Sequence, residues 1–355
     1  KSSAERFLFT CYSFVPEHGK IGTDPGMDVG DEVWYYSDNS ADYSNKTTFW
    51  IAKGMQNSNE PLVDYWNGTQ WGKAMFVGIR DCNVFIENID KVPDLSAYDK
   101  ETWKAEAKVL KAFYHFWMMR MYGPIPIIKE NIPVSAGEDE VRVVRDKIDD
   151  IVTYIVSLID ESVEYLPLNI QNEAAEMGRI TRPAAKAIKA KILAFAASPF
   201  FNGNLDYANF KNAEGEPFFN QVYDNEKWAK AADACLEAIQ CAEEAGHGLY
   251  EFVNMSSTQL SDETILSLSN RCKVTERWNK ELVWGCGQSG IRDLQVLCQP
   301  WLESNYSSDD RYHNARNGTF APTLAVAETF YTKNGVPMDE DKNYDYSKRY
   351  TTQVA

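Results

Sequence analysis

The sequence contains no run of 18 apolar residues, so nothing in it reads as a membrane-spanning helix. Its seven cysteines, at 11, 82, 235, 241, 272, 286 and 298, form no CxxC pair, and they read as mostly buried free thiols. The four histidines are scattered and none lies in an HExxH pattern, which speaks against a histidine-based metal site. No GxSxG is present to carry a nucleophile elbow. Positive charge is scarce: 36 Lys and Arg stand against 52 Asp and Glu, giving a formal charge of −16. With no Lys/Arg cluster to interrupt it, such a surface repels phosphate backbones, and nucleic acid is excluded as a partner.

Two near-motifs fail on inspection. Gly68-Thr69-Gln70-Trp71-Gly72-Lys73 has three residues between its glycines where a phosphate loop needs four. Asp339-Glu340-Asp341-Lys342-Asn343 opens like a calcium loop, but Tyr344 and Tyr350 stand where glycine and the bidentate glutamate belong. No metal and no cofactor is expected.

What the chain has in quantity is apolar and aromatic side chain. Hydrophobic residues make up 44% of 355, and ten Trp, nineteen Tyr and seventeen Phe bring aromatics to 13%. At roughly 150 residues per domain this length fills one large or two ordinary domains, each able to bury a core.

The first sixty residues read as loops and short pieces, punctuated by Asp24-Pro25-Gly26 and Asp38-Asn39-Ser40. Helical periodicity then predicts helices over about 62–90, 99–122, 142–166, 181–198 and 226–245. The second is apolar on more than one face and should be deeply buried. The fourth opens on Thr181 as N-cap with Pro183 in its first turn, and its seven alanines allow a neighbour to approach closely. Beyond Gly248 the texture changes. Residues 263–268 and 281–284 read as short strands, 285–320 as a long irregular stretch, and 322–330 as a last helix. The fold class is therefore mainly α: a scaffold of tetratricopeptide-like helical hairpins with an irregular, loop-rich ligand-binding region and a few short strands. The expected division is 1–60, a loop-rich segment; 61–248, the helical scaffold; and 249–355, the irregular binding region.

Aromatics divide along the same line. Trp66, Trp103, Trp117 and Trp228 lie on helical faces and should be core. Trp50, Trp278, Trp301 and Tyr306 lie among polar, irregular surroundings, and these four are the candidate ligand-binding residues. A ring there can stack on the apolar face of a sugar while neighbouring Asn, Asp and Arg bond its hydroxyls.

Three ordered segments carry a family resemblance. Trp103-Lys-Ala-Glu106 runs on to Arg120-Met-Tyr-Gly-Pro-Ile-Pro126. Gly178-Arg-Ile-Thr-Arg-Pro-Ala-Ala185 runs on to Ser198-Pro199. Ala321-Pro-Thr-Leu324 runs on to Asn334-Gly-Val-Pro-Met338. Together they resemble the SusD/RagB family of nutrient-binding outer-membrane lipoproteins, over nearly the whole chain. The resemblance implies a lipid-anchored protein on the cell surface, seated as a lid over a SusC-like TonB-dependent barrel, that binds oligosaccharides for import and is not an enzyme. It further implies an acylated cysteine ahead of residue 1 and more helices beyond residue 355. The motif residues themselves read as scaffold. Peptide uptake, as in the RagB branch, is the alternative ligand class. A surface glycoside hydrolase working with two carboxylates and an intracellular tetratricopeptide adaptor are the alternatives of a different kind.

Overall fold

The computed structural model describes residues 1–17, 26, 29–30, 32–35, 50–286 and 320–349. Its contacts separate into two compact units. One comprises Lys1–Val15, Tyr65–Gly68 and Lys73–Gly287; the other comprises Pro16–Asp64, Thr69–Gly72 and Gln288–Ala355. Among the described residues no helix is long and apolar enough to cross a membrane.

The first unit is a succession of helices, each packed on the next: α1 (Ser2–Tyr12), α2 (Met75–Asn88), α3 (Ala97–Tyr122), α4 (Ile148–Asp160), α5 (Arg182–Ala197) and α6 (Glu226–Glu244). A seventh, α7 (Asp262–Thr275), follows the last hairpin. The mainly helical class expected from the sequence is what the chain adopts.

α3 is the axis of this unit. The Ser96 hydroxyl caps it by accepting the Asp99 N–H at 3.0 Å, and Gly123, at φ +69°, stops it ahead of Pro124. Sixteen of its 26 residues are buried, so it presents no solvent face over most of its length. Trp117 is fully buried and meets Tyr65 edge to face at 5.4 Å. Burying a ring of this size contributes about 3 kcal/mol.

α4 turns Ile148, Ile151, Ile155 and Ile159 onto one buried stripe at helical spacing. α5 starts where its cap and proline say it should: Thr181 Oγ1 accepts the Ala184 N–H at 3.4 Å. Its small side chains meet those of α6, with Ala190, Ala234 and Ala238 forming a buried cluster under Leu193.

Several expectations are corrected. α1 forms within the first sixty residues, where loops were expected; Leu8 and Cys11 are its two fully buried residues. α2 begins at Met75 and not near 62. Gly68, Gln70 and Trp71 all adopt positive φ, and a Cβ on Gly68 would stand 2.6 Å from the Ala74 backbone nitrogen, so the chain turns there instead of coiling. Residues 263–268 are helical because the Ser261 hydroxyl caps the Thr264 N–H at 3.2 Å with Asp262 and Glu263 behind it. Residues 281–284 form turns and no strand. Trp228, expected in the core, is 42% exposed: α6 buries its small face, Ala231, Ala234, Ala238 and Cys241, and turns Leu236 and Ile239 outward with the indole. Trp66 is half-buried, edge-on to Phe76 and Tyr122, while Trp103 and Trp117 are core as expected.

In the second unit β1 (Val33–Tyr35) pairs antiparallel with β2 (Phe320–Pro322), Trp34 opposite Ala321. The Thr323 N–H continues the pairing onto the Glu32 carbonyl at 3.0 Å, and the Thr323 hydroxyl caps a single helical turn, Leu324–Ala327, which is what remains of the helix expected over 322–330.

Candidate functional site

Within the first unit, from segments that precede α5 and follow α6 in sequence, the chain encloses a cleft of about 410 Å³. One wall is the segment from Asn169 to Thr181 that leads into α5. The other comes from the turn after α6, Ala245-Gly246-His247, and from the irregular stretch Trp278–Gly285. Ile170, Met177, Trp278, Leu282 and Trp284 supply its apolar surface; Asn169, Glu173, His247 and Lys280 supply its polar groups. That is the mixture a small polar ligand with an apolar face requires.

Trp278 is one of the four residues predicted from the sequence, and it lines this cleft. Its backbone sits at φ +54°, a left-handed conformation that costs a bulky residue roughly 1–2 kcal/mol. The strain is upheld locally. Asn279 spends its amide on the carbonyls of Lys273 and Glu276, at 2.9 and 2.8 Å, and accepts the Glu281 N–H at 3.0 Å. These bonds close the turn that carries the indole out from the end of α7.

Trp284 was not foreseen, because Glu281-Leu282-Val283-Trp284 reads as a strand. Its indole N–H donates to the Gly178 carbonyl at 3.0 Å, and its ring stands edge-on to Phe113 at 5.4 Å. Gly178 itself is at φ +97°; a Cβ there would come 3.3 Å from the Gly285 carbonyl and 3.6 Å from the Trp278 ring. Glycine thus lets the two walls meet. At the opposite rim the Lys280 carbonyl accepts the Gly248 N–H at 3.1 Å and lies 3.1 Å from His247 Nδ1. Nδ1 donates to that carbonyl and Nε2 is left as an acceptor.

The other predicted residues fall elsewhere. Trp50 belongs to the second unit, in a helical turn over 50–52, 41% exposed, with Lys53 Nζ 5.2 Å from its ring centroid. Trp301 and Tyr306 lie outside the described residues. The only sequence signals for the remaining cleft residues were turn chemistry at Asn279-Lys280 and the glycines 178 and 285.

Among the described residues no group of three His, Cys, Asp or Glu could hold a metal ion. The near-miss calcium loop has a structural use instead. Asp341 is buried and accepts from the Thr332 hydroxyl, from Asn334 Nδ2 at 2.9 Å and from the Asn343 N–H at 2.9 Å. The Thr332 hydrogen bond leads in holding its carboxyl below the usual carboxylate value.

Comparison with known proteins bears on the fold and the family. A family profile described as SusD-like, starch-binding and associating with the outer membrane matches residues 22–193. A SusD-like protein of Bacteroides ovatus is 31% identical over 99 residues, which are 28% of this chain and 16% of that protein. The solved structure of BT4246 is 28% identical, covers 97% of this chain and superposes with a TM-score of 0.77; this chain spans 59% of its length. Surface glycan-binding protein A from Bacteroides uniformis shares the fold at 16% identity, with a TM-score of 0.59 over 99% of this chain and 67% of its own.

The profile, the curated relative and the solved structures together support assignment of the chain to the SusD family.

Proposed function

We propose that the chain is the greater part of a glycan-binding lipoprotein of the outer membrane, exposed at the cell surface. It acts as the lid of a SusC-like TonB-dependent barrel and takes up oligosaccharides without hydrolysing them. Family membership supports the class, and the cleft under Trp278 is the observation that carries the ligand. Two indoles, a strained backbone and a few polar groups converge there in a space sized for a few sugar rings. Trp50, Trp301 and Tyr306 are proposed as further ligand-binding rings of the chain, apart from this cleft.

In this reading the Trp278 ring stacks on the C–H face of a sugar. His247 Nε2, Asn169 and Glu173 face hydroxyl donors, and Lys280 faces acceptors. Calorimetric titration of soluble starch, laminarin, xylan and mannan against the protein and its Trp278→Ala variant tests it. The expected outcome is binding of at least one glycan, weakened by roughly 1–3 kcal/mol in the variant. Equal affinity of both proteins would move the site away from this cleft. Binding of peptides and of no saccharide would replace the ligand class. Co-purification with a β-barrel partner from detergent-extracted outer membranes tests the lid.

A further inference from the structure

A buried ion pair of the first unit reaches into the cleft wall itself, through Arg179. Glu106 of α3 is 1% exposed. Arg179 forks onto it, Nε donating to Oε2 at 3.1 Å and Nη2 to Oε1, while Nη1 donates to Glu176 at 2.5 Å. The guanidinium lies 5.5 Å from the Trp103 ring centroid. From α1, the Tyr12 hydroxyl donates to Glu106 Oε2 at 2.5 Å and accepts the Ile180 N–H at 2.8 Å. Every polar atom of the cluster therefore ends on the stretch 176–180.

A buried ion pair is a poor device for stability alone, since desolvating two charges offsets most of their attraction. What this one does is locate backbone. Residues 179 and 180 are tethered on the scaffold side by Arg179 and Tyr12. On the cleft side, Gly178 carries the indole of Trp284 on its carbonyl and leaves room for the ring of Trp278. A shift of this stretch moves both tryptophans.

We propose that Arg179, held by Glu106 and Tyr12, is a positioning residue for the cleft: it belongs to the wall, but its guanidinium is committed to Glu106 and Glu176, and it sets where Trp278 and Trp284 present their rings. Its bearing on affinity rests on the glycan-binding reading; its bearing on the two rings does not. Burial works against the charge on Arg179, and the hydrogen bonds and charge of Glu106 more than offset it, so the guanidinium is held above its already high value and keeps its proton. Burial raises the Glu106 carboxyl against the pull of Arg179 and Tyr12.

The test uses fluorotryptophan-labelled protein and fluorine NMR, with Trp278→Phe and Trp284→Phe assigning the two cleft resonances and Trp228, on the outer face of α6, as the internal control. In Arg179→Lys, which keeps the charge and loses the fork, the Trp278 and Trp284 resonances should move while Trp228 stays. Tyr12→Phe, which removes one hydroxyl, should move them less and remains available if the lysine variant does not fold. Affinity for whichever glycan the wild type binds should fall about tenfold in Arg179→Lys and less in Tyr12→Phe. Unmoved cleft resonances in both variants, with or without a lower melting temperature, overturn the proposal. If the wild type binds no glycan, the functional reading fails and the resonances alone decide: moved, they uphold the positioning role; unmoved, they refute it.

Discussion

α3 and α7 belong to the same unit and were built on opposite principles. α3 buries 16 of 26 residues, whereas none of the 14 residues of α7 is buried. Trp117, Tyr114 and Phe116 fix α3 by packing, so its position is over-determined. The stretch around α7 is held by a few hydrogen bonds: Phe252 N–H to the Ser269 hydroxyl at 2.9 Å, Tyr250 N–H to Glu281 at 3.0 Å, and Gly248 N–H to the Lys280 carbonyl at 3.1 Å. Leu266, Val274 and Met255 remain largely exposed beside them. The lesson is one of division of labour. A rigid packed element supplies the reference frame, and the binding wall is attached to it by a small number of directional bonds.

The comparison can be broken or sharpened by experiment. The largest effect should come from Trp117→Ala, which removes a fully buried ring and should cost about 3–5 kcal/mol in denaturant unfolding. A loss below 1 kcal/mol would show that α3 is not the determinant of this unit. Next is pH. His115, also on α3, is buried with Nδ1 bonded to the Lys111 carbonyl at 2.8 Å and Nε2 accepting the Ile128 N–H at 3.2 Å. Burial pulls its pKa from 6.5 to about 4. The unfolded chain takes up this proton below pH 6.5 and the folded chain only near 4. More protons are therefore bound by the unfolded state across that window, and stability falls on acidification by up to about 3 kcal/mol. Melting curves from pH 7 to 4 should show the loss, and His115→Gln should flatten it. Thr181→Ala removes the cap of α5 and should cost about 1 kcal/mol. Smallest of all, Leu266→Ala on α7 should change global stability by less than about 0.5 kcal/mol. Hydrogen exchange should separate the two regions directly, with amides of α7 opening well before those of α3.

The same contrast explains what could be read in the sequence. α3, α4 and α5 were legible because burial imposes a dense apolar period, and because Thr181-Arg182-Pro183 is an explicit start signal. α7 was misread as a strand because Thr264-Ile265-Leu266-Ser267-Leu268 is a short run of apolar and β-branched residues, and no packing requirement forces a helical period on a helix that buries nothing. Trp228 was misplaced for a related reason: periodicity finds two stripes on α6 and cannot say that the alanines, not the indole, face α5. In the cleft, Trp278 stood out as a ring in polar, irregular surroundings. Trp284 and Arg179 did not, since their roles depend on contacts 106 and 73 residues away along the chain, to Gly178 and to Glu106 respectively.

The bond from Trp284 to Gly178 has a consequence in time as well as in space. It joins residues 106 positions apart, while most contacts of α2 through α6 link neighbouring helices. Closing so long a loop costs chain entropy that nothing returns until the far wall is in place. The wall that carries Trp284 therefore gains nothing from this bond until the lead-in to α5 that it meets is in place.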